Sequence, residues 1–511
     1  MMTLQKIGAW EQVKKVNDMN VVPSTWAFKI KRFPSGLVRK LKARFCVRGD
    51  MQKKGVDVFE TFAPVVSWTT VRLMLILSVI LDLKSTQVDY TAAFVQAPID
   101  TDVYISLPKG WEHLNKMGLL QPFKAGHVLK LNRSLYGICQ SPRNFFNHLK
   151  GNLIKSGFAQ SKTDPCLFFT DKVVCVVYID DCLFFSKDQK DIDDCIKRIQ
   201  DTGMDLGVEA DAAGFLGISI QRTDKGVELT QSGLIDRVVT ALGLDDANYK
   251  LSAAPKKPLG RDLAGSPFSE DFNYASVVGM MMYLCNNSRP DIAFAISQCA
   301  RYSHNPTELH GMYLKYIGKY LKGTRDKGII LKPSKSSKLD IECYVDADFG
   351  GLWNAEDEQD PHCVRSRTGF VILVAGCPVF WKSKLQIEIA LSTMESEYIA
   401  LSQSCRELLP LQDLVKEVGA IVGMPEGDKT MRVRSTIYED NEPCLKLANM
   451  ELPQMTNRSK HIAIKYHWFR SHVGNELTVS PIASKDQLAD IFTKSPVLQI
   501  FQSLRKRLMG W

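Results

Sequence analysis

Runs of apolar residues along the chain predict strands, and two of these runs lead directly into carboxylates. Residues 173–179 and 182–185 are rich in Val, Tyr, Leu and Phe, and they predict a hairpin whose turn holds Asp180 and Asp181. A shorter alternating run upstream predicts a strand that ends at Asp89. Burying an ionised carboxylate is costly unless it is paired, and adjacent carboxylates also repel each other. The pattern therefore indicates a cation site at a sheet edge, with an ordinary Asp-rich turn as the alternative.

Four segments in the last third of the chain also combine a regular apolar pattern with a carboxylate. They are an alternating strand at 338–351 with Asp346, a helix at 391–409 with Glu395, a strand, turn and helix at 432–450 with Asp440, and a short helix at 485–494 with Asp490. Asp348 is an alternative to Asp346, and Glu397 is an alternative to Glu395.

Each of these carboxylates also has a purely structural interpretation. Ser392 and Glu395 have the spacing of a capping box, so Glu395 could serve only to close the N-terminus of its helix. Asp440 could cap the helix that follows it, and Asp490 could be an exposed helix charge. The residue pattern alone leaves these alternatives open.

The distribution of charge separates a basic part of the chain from a mildly acidic one. Residues 1–335 carry 45 Lys and Arg against 33 Asp and Glu, whereas residues 336–511 carry 20 against 23. A basic surface suits a polyphosphate partner, and an acidic surface can hold nucleic acid through bound cations. Segments rich in Pro, Gly, Ser and charge at 252–271 and 332–338 predict surface connectors.

Composition is that of an ordinary globular protein and excludes several other classes. The 511 residues are 45% apolar and 24% charged, which excludes a disordered or fibrous chain. No apolar run is long enough to span a bilayer, and the first residues lack the apolar core of a signal peptide. The 13 cysteines show no disulfide or zinc-ligand spacing, so we expect reduced thiols and a cytoplasmic or nuclear location.

Several ordered phrases of the sequence resemble the reverse transcriptases of Ty1/copia-type retrotransposons. YIDD at 178–181 matches the YxDD box of reverse transcriptases. The other phrases are KARFCVRGDMQKKGVDVFETFAPVVSWTTVR (42–72), VDYTAAFVQAPI (88–99), SLYGICQSPRNFF (134–146), FLGISI (215–220) and SRPDIAFAISQCARYSHNPTELH (288–310). One departure lies at 138–143, where the family commonly has LKQAPR and this chain has ICQSPR. The missing Lys removes a basic contact that the family would place there.

The resemblance implies two sites that each bind a pair of Mg²⁺ ions, with Mn²⁺ as the alternative cation. The implied ligands are Asp89, Asp180 and Asp181 in the polymerase site, and Asp346, Glu395, Asp440 and Asp490 in a ribonuclease H site. Some ribonucleases H also carry a His shortly before the last Asp. No His lies between His472 and Asp490, so we expect His461, His467 and His472 to be surface residues.

The resemblance also implies contacts to the incoming nucleotide. Lys42, Arg44 and Arg48 would contact the triphosphate, with a solvated basic strand edge as the alternative. Phe94 would close against the sugar and exclude ribonucleotides, with a core aromatic as the alternative. Gly137 would let the backbone approach the nucleotide closely.

The predicted fold is α+β: a right-hand polymerase of fingers and palm at 1–250, a thumb or connection segment at 251–335, and a ribonuclease H-like mixed α/β domain at 336–511. The predicted function is RNA-directed DNA polymerase, with hydrolysis of the RNA strand in RNA–DNA hybrids. The expected partners are an RNA template, a DNA primer, an RNA–DNA hybrid and deoxynucleoside triphosphates, without a membrane. We expect a carboxyl-terminal part of a Pol polyprotein, because protease, integrase and capsid segments are absent from the sequence. The alternative function is a catalytically silent, domesticated nucleic-acid-binding remnant.

Overall fold

The computed structural model describes residues 2–32, 38–209, 214–334, 339–353, 363–422, 433–455, 459 and 461–511. Contacts within the chain divide it into two compact units. The first unit comprises Met1–Val66 and Ser85–Asp211, and the second comprises Ser67–Lys84 and Ala212–Trp511.

The strands and helices alternate irregularly along the chain, as expected for an α+β protein. The strands are β1 (Trp10–Lys14), β2 (Val21–Val22), β3 (Ser24–Arg32), β4 (Val38–Val47), β5 (Lys84–Tyr90), β6 (Tyr104–Ile105), β7 (His127–Leu131), β8 (Ala159–Gln160), β9 (Leu167–Phe169), β10 (Val174–Tyr178), β11 (Asp181–Ser186), β12 (Leu206–Glu209), β13 (Gly214–Phe215), β14 (Ile218–Thr223), β15 (Gly226–Thr230), β16 (Ile329–Leu331), β17 (Ile341–Asp348), β18 (Arg367–Val374), β19 (Cys377–Leu385), β20 (Ser435–Glu439) and β21 (Leu477–Pro481). The helices are α1 (Met2–Lys6), α2 (Trp68–Ile80), α3 (Ala93–Gln96), α4 (Trp111–Lys116), α5 (Ser141–Lys155), α6 (Gln189–Asp201), α7 (Ser232–Ala241), α8 (Tyr274–Asn287), α9 (Ala293–Ala300), α10 (Glu308–Gly323), α11 (Thr393–Ile421), α12 (Glu442–Ala448), α13 (Asp490–Thr493) and α14 (Leu498–Met509).

The main sheet of the first unit contains the predicted hairpin near its centre. Its strand order is β12-β5-β11-β10-β9-β8, so β5, which ends just after Asp89, lies beside the hairpin strand β11. Tyr178 and Asp181 pair across β10 and β11, which leaves Ile179 and Asp180 as the two-residue turn. The sequence therefore predicted the hairpin correctly, although Asp181 belongs to the strand and not to the turn.

Helices α5 and α6 contribute to the core beneath this sheet because their apolar residues recur with helical spacing. Ile192, Ile196 and Ile199 of α6 are buried at intervals of three and four residues, and they belong to the same core cluster as Val88 and Phe184. This packing holds the strands that carry Asp89 and Asp181 and that flank the turn with Asp180.

Two sheets form the framework of the second unit. One has the strand order β13-β14-β15-β16, and the other has the order β19-β18-β17-β20-β21. In the second sheet β17, β18 and β19 are antiparallel neighbours, whereas β17, β20 and β21 run parallel to one another. Helix α11 packs on β17 and β18. This mixed sheet with a long helix confirms the predicted ribonuclease H-like mixed α/β domain.

The two compact units do not follow the three predicted segments. Strand β15 pairs with β16 near residue 330, and β13 and β14 extend the same sheet. The chain from 212 onward therefore joins the second unit well before the predicted boundary at 250. The three-domain division stays a prediction. No helix among the described residues is long and apolar enough to cross a membrane.

Candidate functional sites

Three carboxylates of the second unit converge at the carboxyl-terminal ends of two strands in its mixed sheet. Asp346 lies near the end of β17 and Asp440 directly follows β20, and these strands are parallel neighbours in register from Ile341 to Tyr344. Glu397 approaches from the first turns of α11. Carboxylate oxygens of Asp346, Glu397 and Asp440 all lie within 4.8 Å of one another.

Because these carboxylates are buried, keeping all of them ionised without a counter-charge would cost free energy. Asp346 and Glu397 are each only 4% exposed. Burial, together with the adjacent Glu439, Asp346 and Asp440, raises the pKa of Glu397 well above its ordinary value. Burial also raises the pKa of Asp346. The site therefore favours protons or a cation at neutral pH.

Glu439 is a further buried carboxylate at this edge, and the sequence reasoning missed it. It is fully buried, and burial raises its pKa to about 8. One carboxylate oxygen accepts a hydrogen bond from the Asn441 backbone N–H at 3.0 Å, while Oε2 has no hydrogen-bond partner. Its position next to Asp440 in the sequence could have made it a candidate for the site, but the sequence does not show that it is buried.

Asp490 and Lys494 form the other side of the site. Lys494 Nζ lies 2.7 Å from Asp490 Oδ1 and 3.8 Å from Asp346 Oδ2, and the Thr493 hydroxyl donates to Asp346. Burial and the neighbouring Asp346 raise the pKa of Asp490 to about 6 despite this ion pair. Asp490 thus lies beside the group of three and is not a simple exposed helix charge. Lys494 was missed, although its spacing of four residues from Asp490 was a usable signal.

Glu395 lies elsewhere and has the capping role that its sequence spacing also allowed. Its backbone N–H bonds the Ser392 hydroxyl at 3.2 Å, and its carboxylate accepts from the Leu391 N–H at 2.7 Å. His461 Nε2 lies 3.2 Å from the same carboxylate. The structure thus favours Glu397, the alternative, as the helix member of the carboxylate group.

The structure also shows the positions of Asp348, Asp440 and His467, for which the sequence allowed other roles. Asp348 is partly buried at the end of β17, and burial, with nearby Asp346, raises its pKa. Asp440 does not cap its helix, because the Asn441 side chain accepts the bond from the Cys444 N–H. His467 was expected at the surface but is buried, with Nδ1 2.9 Å from the Tyr398 hydroxyl oxygen.

The donor set of the carboxylate group fits a hard divalent cation. Mg²⁺ prefers oxygen ligands, and three carboxylates at one point supply them. Oε2 of Glu397 is buried without a hydrogen-bond partner, as expected for an atom arranged to meet a cation. Asp346, Glu397 and Asp440 are therefore the residues that could hold the metal.

The carboxylates of the first unit form a more open arrangement. Asp89 is exposed, and Asp180 and Asp181 are partly exposed. The Tyr90 N–H donates to the Asp180 carbonyl at 3.0 Å, which ties the end of β5 to the hairpin turn. Ile179 has a φ of 53°, unusual for a β-branched residue, so the turn is held in a strained shape. Among described residues this set does not reach the close spacing of the group in the second unit.

An aromatic and basic surface lies beside these carboxylates. The Tyr136 ring centroid is 5.0 Å from the guanidinium of Arg44 and 5.0 Å from the ring of Phe94. Burial raises the pKa of Tyr136, Arg44 lowers it, and Asp180 and Asp89 contribute a smaller increase, so these charges lie near the tyrosine. Tyr136 was not singled out from the sequence.

The predicted nucleotide contacts divide into two groups. Lys42 and Arg44 share one face of β4 because they alternate along it, whereas exposed Arg48 is paired with Asp50 at 2.6 Å. Gly137 has a φ of 89°, and a Cβ there would lie 2.1 Å from the Val47 carbonyl oxygen. Its close approach in this structure is therefore to β4.

The sequence pattern described as reverse transcriptase (RNA-dependent DNA polymerase) matches residues 7–256. Over 524 residues the chain is 30% identical to the retrovirus-related Pol polyprotein from transposon TNT 1-94 of Nicotiana tabacum, covering 100% of this chain and 37% of that protein. It is also 30% identical to the Pol polyprotein from transposon RE1 of Arabidopsis thaliana, covering 96% of this chain and 32% of that protein. The chain thus spans about a third of the length of these relatives.

Among solved structures, the foamy viral protease-reverse transcriptase in complex with RNA/DNA hybrid is 14% identical, with a TM-score of 0.49, over 94% of this chain and 52% of that chain. The family pattern over 7–256 and the alignments with the two plant Pol polyproteins lead to one conclusion: the chain belongs to the Ty1/copia-type reverse transcriptases.

Proposed function

We propose that the chain is an RNA-directed DNA polymerase whose second unit also hydrolyses the RNA strand of RNA–DNA hybrids. Membership of the reverse transcriptase family supports the polymerase activity. The observation that carries the nuclease activity is the buried group of Asp346, Glu397 and Asp440. The proposed partners are an RNA template, a DNA primer, deoxynucleoside triphosphates and the hybrid product.

The proposed metal ligands are Asp89, Asp180 and Asp181 in the first unit, and Asp346, Glu397, Asp440 and Asp490 in the second. Mg²⁺ bound at these carboxylates would supply charge neutralisation and would acidify the attacking primer hydroxyl or water. Glu397 replaces Glu395 in this set because Glu395 is engaged with the Leu391 N–H.

In the first unit the residues around the carboxylates would align the reactants. The hydrogen bond from the Tyr90 N–H to the Asp180 carbonyl keeps both strands of the site in fixed register. Arg44, held over the Tyr136 ring, presents a fixed cation for a triphosphate. Phe94, packed against the same ring, is proposed to meet the sugar of the incoming nucleotide.

In the second unit Lys494 and Glu439 would control charge at the nuclease site. Lys494 balances Asp490 and Asp346 before any cation arrives. Glu439, with its raised pKa, would hold a proton and so avoid adding a further negative charge beside Asp440. The ligand set would therefore gain its full charge only when a cation replaces protons.

The nuclease proposal is tested by Glu397→Gln, with Glu395→Gln as the matched control on the same helix. Glu397→Gln should reduce Mg²⁺-dependent RNA cleavage in a hybrid by roughly 1000-fold, since it removes charge where the barrier is lowered. Glu395→Gln should retain cleavage within roughly threefold, because an amide oxygen still accepts the Leu391 hydrogen bond. Full cleavage by Glu397→Gln would contradict the assignment.

The polymerase proposal is tested by primer extension on an RNA template with Asp180→Asn. The variant should extend primers roughly 1000-fold more slowly while binding the primer–template normally. Unchanged extension would contradict the role of Asp180. If the unmodified chain bound hybrid but neither extended primers nor cleaved RNA, the silent nucleic-acid-binding alternative would replace both proposals.

A further inference from the structure

One buried glutamine side chain contacts the backbone beside three of the four proposed nuclease ligands. Gln487 lies between β21 and α13 and is fully buried. Its Nε2 donates to the Val345 carbonyl at 2.8 Å and makes a longer contact of 3.4 Å with the Tyr438 carbonyl. Its Oε1 accepts from the Ala489 N–H at 3.2 Å. Each of the three contacted residues lies one or two positions before a proposed ligand, and these ligands are Asp346, Asp440 and Asp490.

These contacts lie where two parallel strands stop pairing. The last register pair of β17 and β20 is Tyr344 with Tyr438. Asp346 and Asp440 each lie two residues further along their chains, so the two carboxylates occupy equivalent positions just beyond the end of the pairing. Gln487 therefore spans both strands at the point where backbone pairing no longer holds them together.

The hydrogen bonds of Gln487 make it a rigid bridge between the strands. Both ends of its amide have partners, Nε2 as a donor and Oε1 as an acceptor. A buried polar network in which every member has a partner resists rearrangement. Movement of β17 relative to Gln487 would break a hydrogen bond in the protein interior, where water cannot replace it. The side chain thus fixes the backbone on both sides of the carboxylate group.

The spacing of Asp346 and Asp440 affects which divalent cation the site prefers. Mg²⁺ requires near-ideal octahedral geometry with oxygen ligands at about 2.0–2.1 Å, whereas Ca²⁺ accepts flexible geometry at about 2.3–2.6 Å. Carboxylate oxygens of these two residues and of Glu397 lie within 4.8 Å of one another. Ligands held close together by a rigid bridge favour the smaller ion, and ligands that are free to separate lose this preference.

We propose that Gln487 is a positioning residue, which holds Asp346 and Asp440 at the spacing that Mg²⁺ needs and so sets the selectivity of the site for Mg²⁺ over Ca²⁺. It acts through the backbone of β17 and β20 and does not itself contact the cation. Residues that orient metal ligands in this way typically change metal affinity by about 10- to 100-fold. The assignment of Asp346 and Asp440 as ligands rests on the proposed nuclease function.

The same sheet contains a matched control at the other end of β20. Gln412 of α11 is 1% exposed, and its Nε2 donates to the Ser435 hydroxyl at 2.6 Å and to the Glu476 carbonyl at 2.9 Å. It thus bridges the start of β20 and the residue before β21. Asp440 lies five residues after Ser435, which corresponds to about 16 Å along an extended chain. Gln412→Met therefore removes a buried bridging amide of the same kind without loosening the carboxylates.

The test measures Mg²⁺ and Ca²⁺ binding to the full chain by isothermal titration calorimetry, and the melting temperature of each variant is recorded. Binding that disappears in Glu397→Gln identifies the signal of the carboxylate group. Gln487→Met should lower the Mg²⁺ affinity roughly 10- to 100-fold and the Ca²⁺ affinity by less than about threefold. Gln412→Met should leave both affinities unchanged. Both Met variants should lower the melting temperature by similar amounts, because each leaves buried acceptors without a donor.

Gln487→Asn provides a second variant if Gln487→Met fails to fold. Its amide is one methylene shorter, so it keeps a polar group at this position but is too short to maintain both strand contacts. The Mg²⁺ affinity should again fall more than the Ca²⁺ affinity.

Unchanged affinities in the variants at position 487, or equal losses of Mg²⁺ and Ca²⁺ affinity, would overturn the positioning role. An equal loss of Mg²⁺ affinity in Gln412→Met would also overturn it, because the effect would then follow stability alone. If the parent chain binds Mg²⁺ through Glu397 but does not cleave RNA in a hybrid, the nuclease proposal fails. A selective loss of Mg²⁺ affinity in Gln487→Met would still support the positioning role in that case. If no binding depends on Glu397, both the metal site and the role of Gln487 are overturned.

Discussion

Asp291→Asn should destabilise the second unit by about 3–5 kcal/mol, because it leaves the Arg289 guanidinium buried without a counter-charge. Both side chains of this ion pair are 0% exposed. Arg289 donates from Nε and Nη2 to the two carboxylate oxygens at 2.9 and 2.8 Å, and the Tyr320 hydroxyl donates to Asp291 Oδ2 at 2.5 Å. The remaining guanidinium bonds go to Thr324, whose neutral oxygens cannot replace the carboxylate charge.

The second unit offers a matched control with the same chemistry at the surface. Arg325 and Asp236 form a bidentate pair at 2.5 and 2.7 Å, but both side chains are 48% exposed. Asp236→Asn should therefore cost at most about 1 kcal/mol, since water screens and resolvates the arginine. The two substitutions remove the same atoms and the same charge, so the difference between them isolates burial.

The assay measures hydrogen exchange of peptides from α8 and α10 in the full chain over a series of urea concentrations. These peptides report the unfolding of the second unit directly. A loss of about 3–5 kcal/mol is a large part of the roughly 5–15 kcal/mol that stabilises a typical domain. The midpoint of exchange protection should fall markedly for Asp291→Asn and little for Asp236→Asn. Equal losses in the two variants would refute the reasoning that burial decides the cost.

Three further outcomes are expected. Gly137→Ala should lower the melting temperature more than Gly126→Ala. Both glycines have a positive φ, but only a Cβ at position 137 would lie against Val47, so equal melting temperatures would contradict this expectation. In EDTA, Glu439→Gln should stabilise the chain relative to the parent increasingly from pH 5 to pH 8, since Glu439 keeps its proton to about pH 8 when folded and only to about 4.3 when unfolded. The folded parent therefore binds more protons and loses stability as pH rises, and a constant difference in melting temperature across this range would count against the assignment. Phe94→Val should increase ribonucleotide incorporation in primer extension without abolishing DNA synthesis. An unchanged preference for deoxyribonucleotides would indicate that Phe94 serves only in packing.

The local sequence pattern was sufficient to predict those structural features that depend on residues close in sequence. The hairpin of β10 and β11 follows from apolar runs on both sides of a two-residue turn, and it forms with Tyr178 opposite Asp181. The capping interaction of Ser392 and Glu395 also follows from spacing alone. These features need no knowledge of what packs against them.

The choice between Glu395 and Glu397 needed tertiary structure. Two positions along a helix are separated by about 200° of rotation, so the two side chains point in nearly opposite directions. The sequence pattern permits either, but only the packing of α11 on β17 determines that Glu397 meets Asp346 and Asp440. A spacing rule cannot decide which helix face turns toward a sheet edge built from distant residues.

The sequence by itself determined the family, the α+β class, the hairpin and most of the carboxylates, because motifs and periodicity are local properties of the chain. The tertiary structure decided the burial of Glu439, the placement of Lys494 Nζ 3.8 Å from Asp346 Oδ2, and the joining of residues from 212 onward to the second unit. These outcomes depend on contacts between residues far apart in sequence. Burial and neighbouring charge, which set pKa values and ligand geometry, exist only after the strands and helices have packed.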